Sequence, residues 1–241
     1  MSITSSIRLL LFDYGGTLDS GGRHWAHVLW DAYRAASVPI THEQFREAYV
    51  FAERALAKAP IVKPHDNFHA LLLKKATQEI AWLQFRHYWT PTADTARRTA
   101  LAIADYCDSY ARHHIDIARP VLEHLSSHYP LVLVTNFYGN IETILRAYRL
   151  PYFRQVVESS VVGIRKPDVR LWQLGIDAVG CQPCETVVIG DSYRKDILPA
   201  HTLGCHTVWL KGEGWTENED YDPTVPDAII TALPELCGVI E

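Results

Sequence analysis

Short apolar runs separated by helical patterns restrict the fold of this sequence more than any other feature. The runs are continuously apolar rather than alternating, which is typical of strands buried on both faces of a helix-covered parallel sheet. Strands are predicted at 7–13, 130–136, 154–159, 185–191 and 205–210. Apolar residues at helical spacing lie between these runs, as in βαβ units. The sequence therefore predicts an α/β fold with a doubly wound parallel sheet.

Helical patterns in the second half of the chain supply the expected connections between strands. Helices are predicted at 119–129, 140–150, 166–180 and 193–204. Proline suits the first turn of a helix, so Pro120 is expected near the start of the first of these helices. Pro199 lies inside the last one and is expected to shorten or kink it. The tail from residue 211 is rich in proline and acidic residues, and a short helix is expected near 227–236.

A long segment without a convincing strand separates the first two apolar runs. It contains four helical patterns, which cover 24–36, 41–59, 66–88 and 92–114. Thr41 and Gln44 have the spacing of a capping box at the start of the second pattern. We therefore predict an all-helical insert over residues 20–115 and an α/β core formed by 1–19 and 116–241.

Composition and charge exclude several classes of partner. The chain has 241 residues, a formal net charge of −5 and a pI near 6.2, so a basic surface for nucleic acid is not expected. No apolar run approaches the roughly 18 residues that span a bilayer, and the N-terminus lacks a signal-peptide pattern.

The odd number of cysteines, five, indicates reduced thiols, and "CQPC" (181–184) indicates a turn before a strand. A cytoplasmic protein is expected.

Polar side chains cluster at the ends of the predicted strands. In an open parallel sheet the carboxyl ends of the strands form the ligand crevice, so these clusters are expected to meet at one edge. The clusters comprise Asp13 with Gly15, Gly16 and Thr17; Thr135 with Asn136; Lys166; and Asp191 with Ser192 and Asp196.

These residue types suit the handling of a phosphoryl group. A strand-end aspartate, Asp13, can attack phosphorus as a nucleophile. Asp191 can share a Mg²⁺ ion with it, because Mg²⁺ prefers hard oxygen ligands. Lys166 supplies fixed positive charge. Thr135 and Asn136 can donate hydrogen bonds to phosphoryl oxygens, and the glycines after Asp13 let backbone N–H groups approach a ligand closely.

The order and spacing of these clusters resemble the motifs of haloacid dehalogenase-like (HAD) superfamily hydrolases. The segment "FDYGGTL" corresponds to the first motif, D-x-D-G-T, and "VLVTN" to the second, a strand that ends in Ser or Thr. Lys166 in "RKPD" matches the third motif, and "VVIGDSYRKDI" matches the fourth, G-D-S-x-x-x-D. The resemblance covers nearly the whole chain.

The resemblance implies a Rossmann-like core with a helical cap at residues 20–115, inserted after the first motif. It implies that Asp13 is the nucleophile, that Thr135 binds the transferring group and that Lys166 steadies its charge. Gly16, Thr17 and Asn136 would complete the substrate-binding residues. The expected cofactor is Mg²⁺, held by Asp13, Asp191 and the backbone carbonyl of Gly15, with Asp196 as a ligand or a neighbouring acid. The expected substrate is a small phosphorylated molecule.

The sequence departs from the family pattern at Gly15. Family phosphatases carry a carboxylate here, which protonates the leaving alkoxide and then activates water; such proton transfer is worth about 10² to 10⁴ in rate. Glycine keeps the backbone carbonyl but cannot transfer a proton. In one interpretation the protein is a phosphatase in which another group, such as Tyr14, Asp19 or His24, replaces this acid, or which acts on substrates with good leaving groups.

Two further interpretations stay open. Phosphonoacetaldehyde hydrolases of the family carry a small residue at this position and use a cap lysine to form a Schiff base, and this cap contains Lys58, Lys63, Lys74 and Lys75. Alternatively, catalysis is weakened and the protein binds a phosphoryl ligand or regulates a partner. Family 2-haloacid dehalogenases also lack the second aspartate, but they carry tyrosine there and lack the metal aspartate that Asp191 represents, which argues against dehalogenation.

Overall fold

A parallel sheet of six strands forms the centre of the molecule in the computed structural model, which describes residues 7–215 and 220–240. All neighbouring strands are parallel, and their order is β3-β2-β1-β4-β5-β6. The strands are β1 (Leu9–Phe12), β2 (Leu131–Thr135), β3 (Phe153–Glu158), β4 (Thr186–Gly190), β5 (His206–Leu210) and β6 (Ala228–Ile230). The predicted α/β fold with a doubly wound sheet is confirmed.

The sheet reverses its winding direction between β1 and β4. From β1 the chain proceeds outward through β2 and β3, and it then returns to place β4 on the other side of β1. Phe12 at the end of β1 is paired with Ile189 of β4. A crevice opens beyond the carboxyl ends of strands at such a switch point. Asp13 and Asp191 directly follow these two strands, so both lie at this crevice.

Four helices form the insert between β1 and β2. They are α1 (Trp25–Ala35), α2 (His42–Lys58), α3 (Phe68–Phe85) and α4 (Ala93–Ser126). The capping box predicted at the start of α2 is present, since Thr41 accepts a bond from the backbone of Gln44 and Gln44 accepts one in return. These helices are called the cap below.

Helix α4 corrects the expectation of two separate helices at 92–114 and 119–129. It is continuous for 34 residues, and Pro120 lies in its interior rather than in a first turn. An interior proline removes one backbone hydrogen bond. The helix nevertheless continues because its buried face, with Ile115, Ala118 and Leu122, runs without a break past the proline. The predicted boundary between residues 115 and 116 therefore falls inside one helix, and the division into core and cap stays a proposal.

The remaining helices are short and connect the later strands. They are α5 (Ile141–Ala147), α6 (Ser159–Val162), α7 (Val169–Asp177), α8 (Leu198–Leu203) and α9 (Leu236–Ile240). The helix predicted at 193–204 begins instead with a π-helical turn, Tyr193–Ile197, and Pro199 lies in the first turn of α8. The short helix expected near 227–236 is wrong, because that stretch contains β6, which pairs with β5, and α9 follows it.

The strands bury both of their faces, as their apolar composition predicts. Leu10 and Phe12 of β1 belong to the buried cluster that includes the cap helices. Leu9 and Leu11 belong to a second buried cluster, with Trp172 of α7. The four β1 side chains are fully buried. Strand β1 is therefore held rigidly, which fixes the position of the residue that follows it.

Two other expectations concern cysteines and membranes. Cys184 lies in a 3₁₀ turn, Pro183–Glu185, that leads into β4, as the turn interpretation of "CQPC" predicted. Among the described residues, no helix has the length and hydropathy that crossing a membrane requires. The prediction that no signal peptide is present rests largely on residues 1–6, which lie outside the described residues. The cytoplasmic location stays a prediction.

A buried glutamate in the cap gives a testable effect of pH on stability. Glu79 of α3 is fully buried, and no hydrogen bond of standard geometry reaches either of its carboxyl oxygens. Burial raises its pKa from 4.5 to about 7, against the opposing effects of Lys75 and the nearby Tyr33 hydroxyl. Between these two values the folded chain binds more protons at this site than the unfolded chain. The site's contribution to the free energy of unfolding therefore falls as the pH rises through this window.

We expect Glu79→Gln to relieve this cost, because glutamine stays uncharged. The stability advantage of the variant should grow by on the order of 2 kcal/mol between about pH 5 and about pH 8. Urea unfolding of both proteins at the two pH values measures the difference. Glu123→Gln, at an exposed site on α4, is the matched control and should show no such change. An equal effect of Glu79→Gln at both pH values would contradict the assignment.

Candidate active site

The four polar clusters meet at the carboxyl edge of the sheet. Asp13 follows β1, Thr135 is the last residue of β2, and Asp191 follows β4. Lys166 reaches the same place from the loop that precedes α7. All four line a single cavity of about 660 Å³ between the sheet edge and the cap. The structure thus brings together the residues that the sequence proposed as a site.

Lys166 links two carboxylates at the centre of this site. Its Nζ donates to Oδ1 of Asp13 at 2.5 Å and to Oδ1 of Asp196 at 2.9 Å, and it lies 4.2 Å from the centre of the Trp172 ring. Burial works against the charged amine, but Asp13 and then Asp196 raise the pKa of Lys166 above its usual value. Lys166 is therefore a fixed positive charge beside Asp13.

Three carboxylates crowd together around this lysine. Asp13, Asp191 and Asp196 each offer an oxygen, and these oxygens lie within 4.8 Å of one another. Burial raises the pKa of Asp13 to about 6, with Lys166 opposing and Asp196 adding to the shift. Burial and then Asp13 raise the pKa of Asp191 well above 3.8. One lysine does not balance this negative charge, and a hard divalent cation with oxygen ligands fits the cluster.

Asp196 is the most constrained of the three carboxylates. Its Oδ1 accepts from Lys166 and its Oδ2 accepts from the backbone N–H of Ser192 at 3.0 Å. The π-helical turn Tyr193–Ile197 holds it in this position. Both of its oxygens thus accept from protein donors, and whether Asp196 is a metal ligand or a neighbouring acid stays a prediction.

The loop after β1 is fitted closely against Asp191. The hydroxyl of Thr17 lies 3.3 Å from Oδ2 of Asp13 and 3.1 Å from Oδ1 of Asp191, so its one proton bridges these carboxylates. Gly16 has a φ of +100°, and a Cβ on it would lie 2.5 Å from Cγ of Asp191. Only glycine fits at position 16. In this structure Gly16 lets the loop approach Asp191 closely, and Thr17 contacts Asp13 and Asp191. Contacts of Gly16 and Thr17 with a substrate stay predictions.

Asn136 has a different contact from the one that the sequence suggested. Its Oδ1 accepts from the backbone N–H of Lys166 at 2.9 Å, and its Nδ2 donates to the carbonyl of Lys166 at 3.2 Å. These two bonds position the lysine. Thr135 lines the cavity and is almost fully buried, and its role as a phosphoryl donor stays a prediction.

Gly15 faces open space at the edge of the cavity. A Cβ built on it would meet no atom within 4 Å, and its backbone does not have the positive φ of Gly16. A carboxylate side chain is therefore sterically possible at this position, and glycine is not required by the backbone. The site lacks this group although it has room for it.

The cap contributes a partly buried ion pair that the sequence analysis did not identify as a pair. Lys75 of α3 bonds to Oε1 of Glu53 of α2, and the hydroxyl of Tyr138 donates to Oε2 of Glu53 at 2.9 Å. The Lys75 ammonium lies 4.2 Å from the centre of the Tyr49 ring. All four residues line the cavity. The apolar periodicity of α3 could have indicated that Lys75 is buried, because Lys75 lies on the same helix face as Leu71 and Leu72.

Of the other cap lysines named from the sequence, none lines the cavity. Lys58 and Lys63 are exposed. Lys74 donates to the carbonyl of Ile61 at 3.0 Å and pairs with Asp66. Lys75 is therefore the one of these four lysines that could meet a bound ligand.

Comparison with known proteins identifies the family. The sequence profile of haloacid dehalogenase-like hydrolases matches residues 7–204. The chain is 32% identical over 100 residues to glyceraldehyde 3-phosphate phosphatase of Pyrococcus furiosus, which covers 42% of each chain. It is 27% identical over 237 residues to the glyceraldehyde 3-phosphate phosphatase of Methanopyrus kandleri, which covers 97% of each chain.

The fold is likewise that of known members. A crystal structure of a dehalogenase with an intermediate complex superimposes with a TM-score of 0.66 at 18% identity, covering 98% of both chains. At this identity the likeness concerns the fold alone. Together with the profile match over most of the chain, these findings show that the protein is a member of the haloacid dehalogenase-like hydrolase family.

Proposed function

We propose that this hydrolase is a Mg²⁺-dependent phosphatase that cleaves a small phosphorylated molecule through an aspartyl-phosphate intermediate on Asp13. The observation that carries the proposal is the arrangement of Asp13, which is buried at a strand end with Lys166 on one oxygen and Thr17 near the other. The relatives named as phosphatases support the same reaction class.

The nucleophile is prepared for attack on an anionic group. Lys166 holds one oxygen of Asp13 and offsets its charge, so the carboxylate is oriented and stays ionised near neutral pH. Lys166 and Thr135 would also donate hydrogen bonds to the phosphoryl oxygens, where negative charge is concentrated in the transition state. Asn136 acts indirectly by fixing the backbone of Lys166.

The carboxylate cluster is the proposed place for Mg²⁺. Asp13, Asp191 and the backbone carbonyl of Gly15 would hold the ion, and Asp196 would orient Lys166 beside it. When bound, the ion supplies positive charge that lets an anionic nucleophile approach an anionic phosphate. In the described part of the chain Lys166 pairs with Asp13 and Asp196, and the ion would offset the remaining negative charge of the three clustered carboxylates.

The cavity sets limits on the leaving group. Apolar side chains from the cap line much of it, among them Leu29, Phe68, Leu71 and Leu72, and the Glu53–Lys75 pair adds a polar patch. The volume of about 660 Å³ exceeds what a three-carbon phosphate needs. We infer a leaving group with an apolar part and at least one group that hydrogen-bonds to the polar patch.

Hydrolysis of a panel of phosphate esters tests the proposed function. We expect release of phosphate from nitrophenyl phosphate, loss of this turnover when EDTA removes divalent metal, and its return when Mg²⁺ is restored. Phosphate release measured by a colorimetric assay gives the rates. Tight binding of a phosphate analogue without turnover of any ester would instead support the weakened, ligand-binding alternative.

A second candidate function is hydrolysis of a carbon–phosphorus bond through a Schiff base on a cap lysine. The position of Lys75 in the cavity favours this reaction. Its ion pair opposes it, because an imine forms from a neutral amine, and Glu53 raises the pKa of Lys75 although burial works in the other direction. Borohydride added with an aldehyde substrate would trap a modified Lys75 if this alternative holds, and the phosphatase proposal expects none.

A further inference from the structure

The proposed phosphatase needs a proton donor, and position 15 cannot supply one. An alkoxide leaving group must be protonated as the phosphorus–oxygen bond breaks. Outside the Asp13, Asp191 and Asp196 cluster, the carboxyl groups described as lining the cavity are Asp19 and Glu53. Glu53 accepts bonds from Lys75 and Tyr138, and although burial opposes it, this pairing lowers its pKa. Glu53 is thus held as a carboxylate without a proton to give.

Asp19 has the opposite environment. Its Oδ1 accepts from the backbone N–H of Gly16 at 2.8 Å and from Nε1 of Trp25 at 3.0 Å. Its Oδ2 is buried and makes no hydrogen bond to any described residue, and the side chain is fully buried while it lines the cavity. One oxygen is therefore fixed by two donors, and the other, which has no partner among the described residues, is the one that can carry a proton.

The position of Asp19 relates it directly to the missing group. Its carboxyl group accepts from the N–H of the peptide that joins Gly15 to Gly16, and both Asp19 and Gly15 line the same cavity. Burial raises its pKa to about 7, with its two N–H donors opposing the shift and Asp13 adding to it. Full burial favours the neutral acid over the charged form, and Oδ2, which has no partner among the described residues, can carry the proton.

The other groups that the sequence suggested as replacements do not meet these conditions. Tyr14 is fully buried against Phe137 and is not itself among the residues that line the cavity, and its hydroxyl makes no hydrogen bond to any described residue. His24 lines the cavity, but its Nδ1 accepts from the backbone of Ala26, and burial followed by Lys195 and Lys75 lowers its pKa to about 3. A neutral imidazole of this kind is a poor acid.

We propose that Asp19 is the general acid and base of this enzyme, in place of a carboxylate at position 15. The inference rests on the proposed phosphatase function. In the first step an oxygen of Asp13 bonds to phosphorus, the bond to the leaving oxygen breaks, and Oδ2 of Asp19 gives its proton to that oxygen directly or through one water. In the second step Asp19 takes a proton from the water that attacks phosphorus, Asp13 leaves, and phosphate is released.

The variant that tests this proposal is Asp19→Asn, assayed on two substrates. Asparagine keeps the size of the side chain and an oxygen that accepts from Gly16 and Trp25, but it has no proton to transfer. Nitrophenolate departs without protonation, whereas an alkoxide does not. Because kcat/KM reports the steps up to departure of the leaving group, we expect kcat/KM for a simple alkyl phosphate to fall by about 10² to 10⁴ and kcat/KM for nitrophenyl phosphate to change far less. Equal losses of kcat/KM on both substrates, or no loss on either, would overturn the proposal.

Two further measurements protect the test from a variant that folds poorly. In wild-type enzyme, kcat/KM across a series of aryl and alkyl esters should depend only weakly on the pKa of the leaving group. A steep dependence of kcat/KM on that pKa would contradict a general acid. Adding Gly15→Asp to Asp19→Asn should restore turnover of the alkyl ester, since position 15 has room for a side chain, and a failure to restore it in a folded double variant counts against the proposal. No turnover of nitrophenyl phosphate by wild type would instead reject the phosphatase function itself.

Discussion

Replacing Asp13 with asparagine is expected to abolish turnover of every phosphate ester. Asparagine is a poor nucleophile, and Asp196 cannot replace Asp13 because its two oxygens already accept from Lys166 and Ser192. Loss of a nucleophile that acts with its neighbours as a unit costs about 10⁴-fold or more in kcat. The effect should be the same for nitrophenyl and alkyl esters, which distinguishes Asp13 from Asp19. Steady-state rates on both substrates measure it.

The control for this variant is an exposed aspartate outside the cavity. Asp177→Asn, at the end of α7, removes the same charge and should leave the rates unchanged. Asp13→Asn should also unfold at a temperature close to that of wild type, because the amide oxygen still accepts a bond from Lys166. Residual turnover of Asp13→Asn within a few-fold of wild type would reject Asp13 as the nucleophile.

Replacing Gly16 with alanine should also have a large effect on every substrate, although it changes a single hydrogen into a methyl group. The new Cβ would overlap the carboxyl group of Asp191, which must move away from Asp13 and Thr17. A displacement of about 1 Å in such a site costs about 10²-fold in rate. We expect a loss of at least this size in kcat together with a weaker response to added Mg²⁺, both measured with nitrophenyl phosphate.

Gly180→Ala is the control that distinguishes the effect of the Cβ overlap with Asp191 from the effect of backbone strain at a positive φ. Gly180 also has a positive φ, +73°, but a Cβ there would meet nothing within 4 Å. Alanine should cost about 1 kcal/mol of stability at either position through strain, and only Gly16→Ala should lose activity. If the two variants had equal activity, the close fit between Gly16 and Asp191 would not matter for catalysis.

The sheet was predictable because its strands are long enough to leave a signal. Strands β1, β2 and β4 are apolar without interruption, and burial on both faces explains that composition. Strand β6 has only three residues and leaves no pattern that a window of the sequence could detect. Pro120 suggested a helix start, and the apolar face that continues past it in α4 outweighed the lost hydrogen bond.

The sheet-edge part of the site follows from topology, whereas the cap part does not. Asp13 and Asp191 follow neighbouring strands, so any parallel sheet brings them together. The partnership of Lys75 with Glu53 depends on how α2 and α3 pack, which periodicity alone does not give. The position of Lys75 on the apolar face of α3 indicates that this lysine is buried, but the sequence pattern does not identify Glu53 as its partner. The engagement of Asn136 with the backbone of Lys166 likewise depends on a loop whose path no pattern predicts.

The central claim is that Asp13 becomes phosphorylated during turnover, and identification of the modified residue tests it most directly. Enzyme mixed with a phosphate ester and Mg²⁺ would be quenched in acid and reduced with borohydride, which converts an aspartyl phosphate to homoserine. We predict homoserine at position 13, detected by mass spectrometry of the peptide, and none in Asp13→Asn. Turnover without homoserine at position 13, or modification at another residue, would contradict the account.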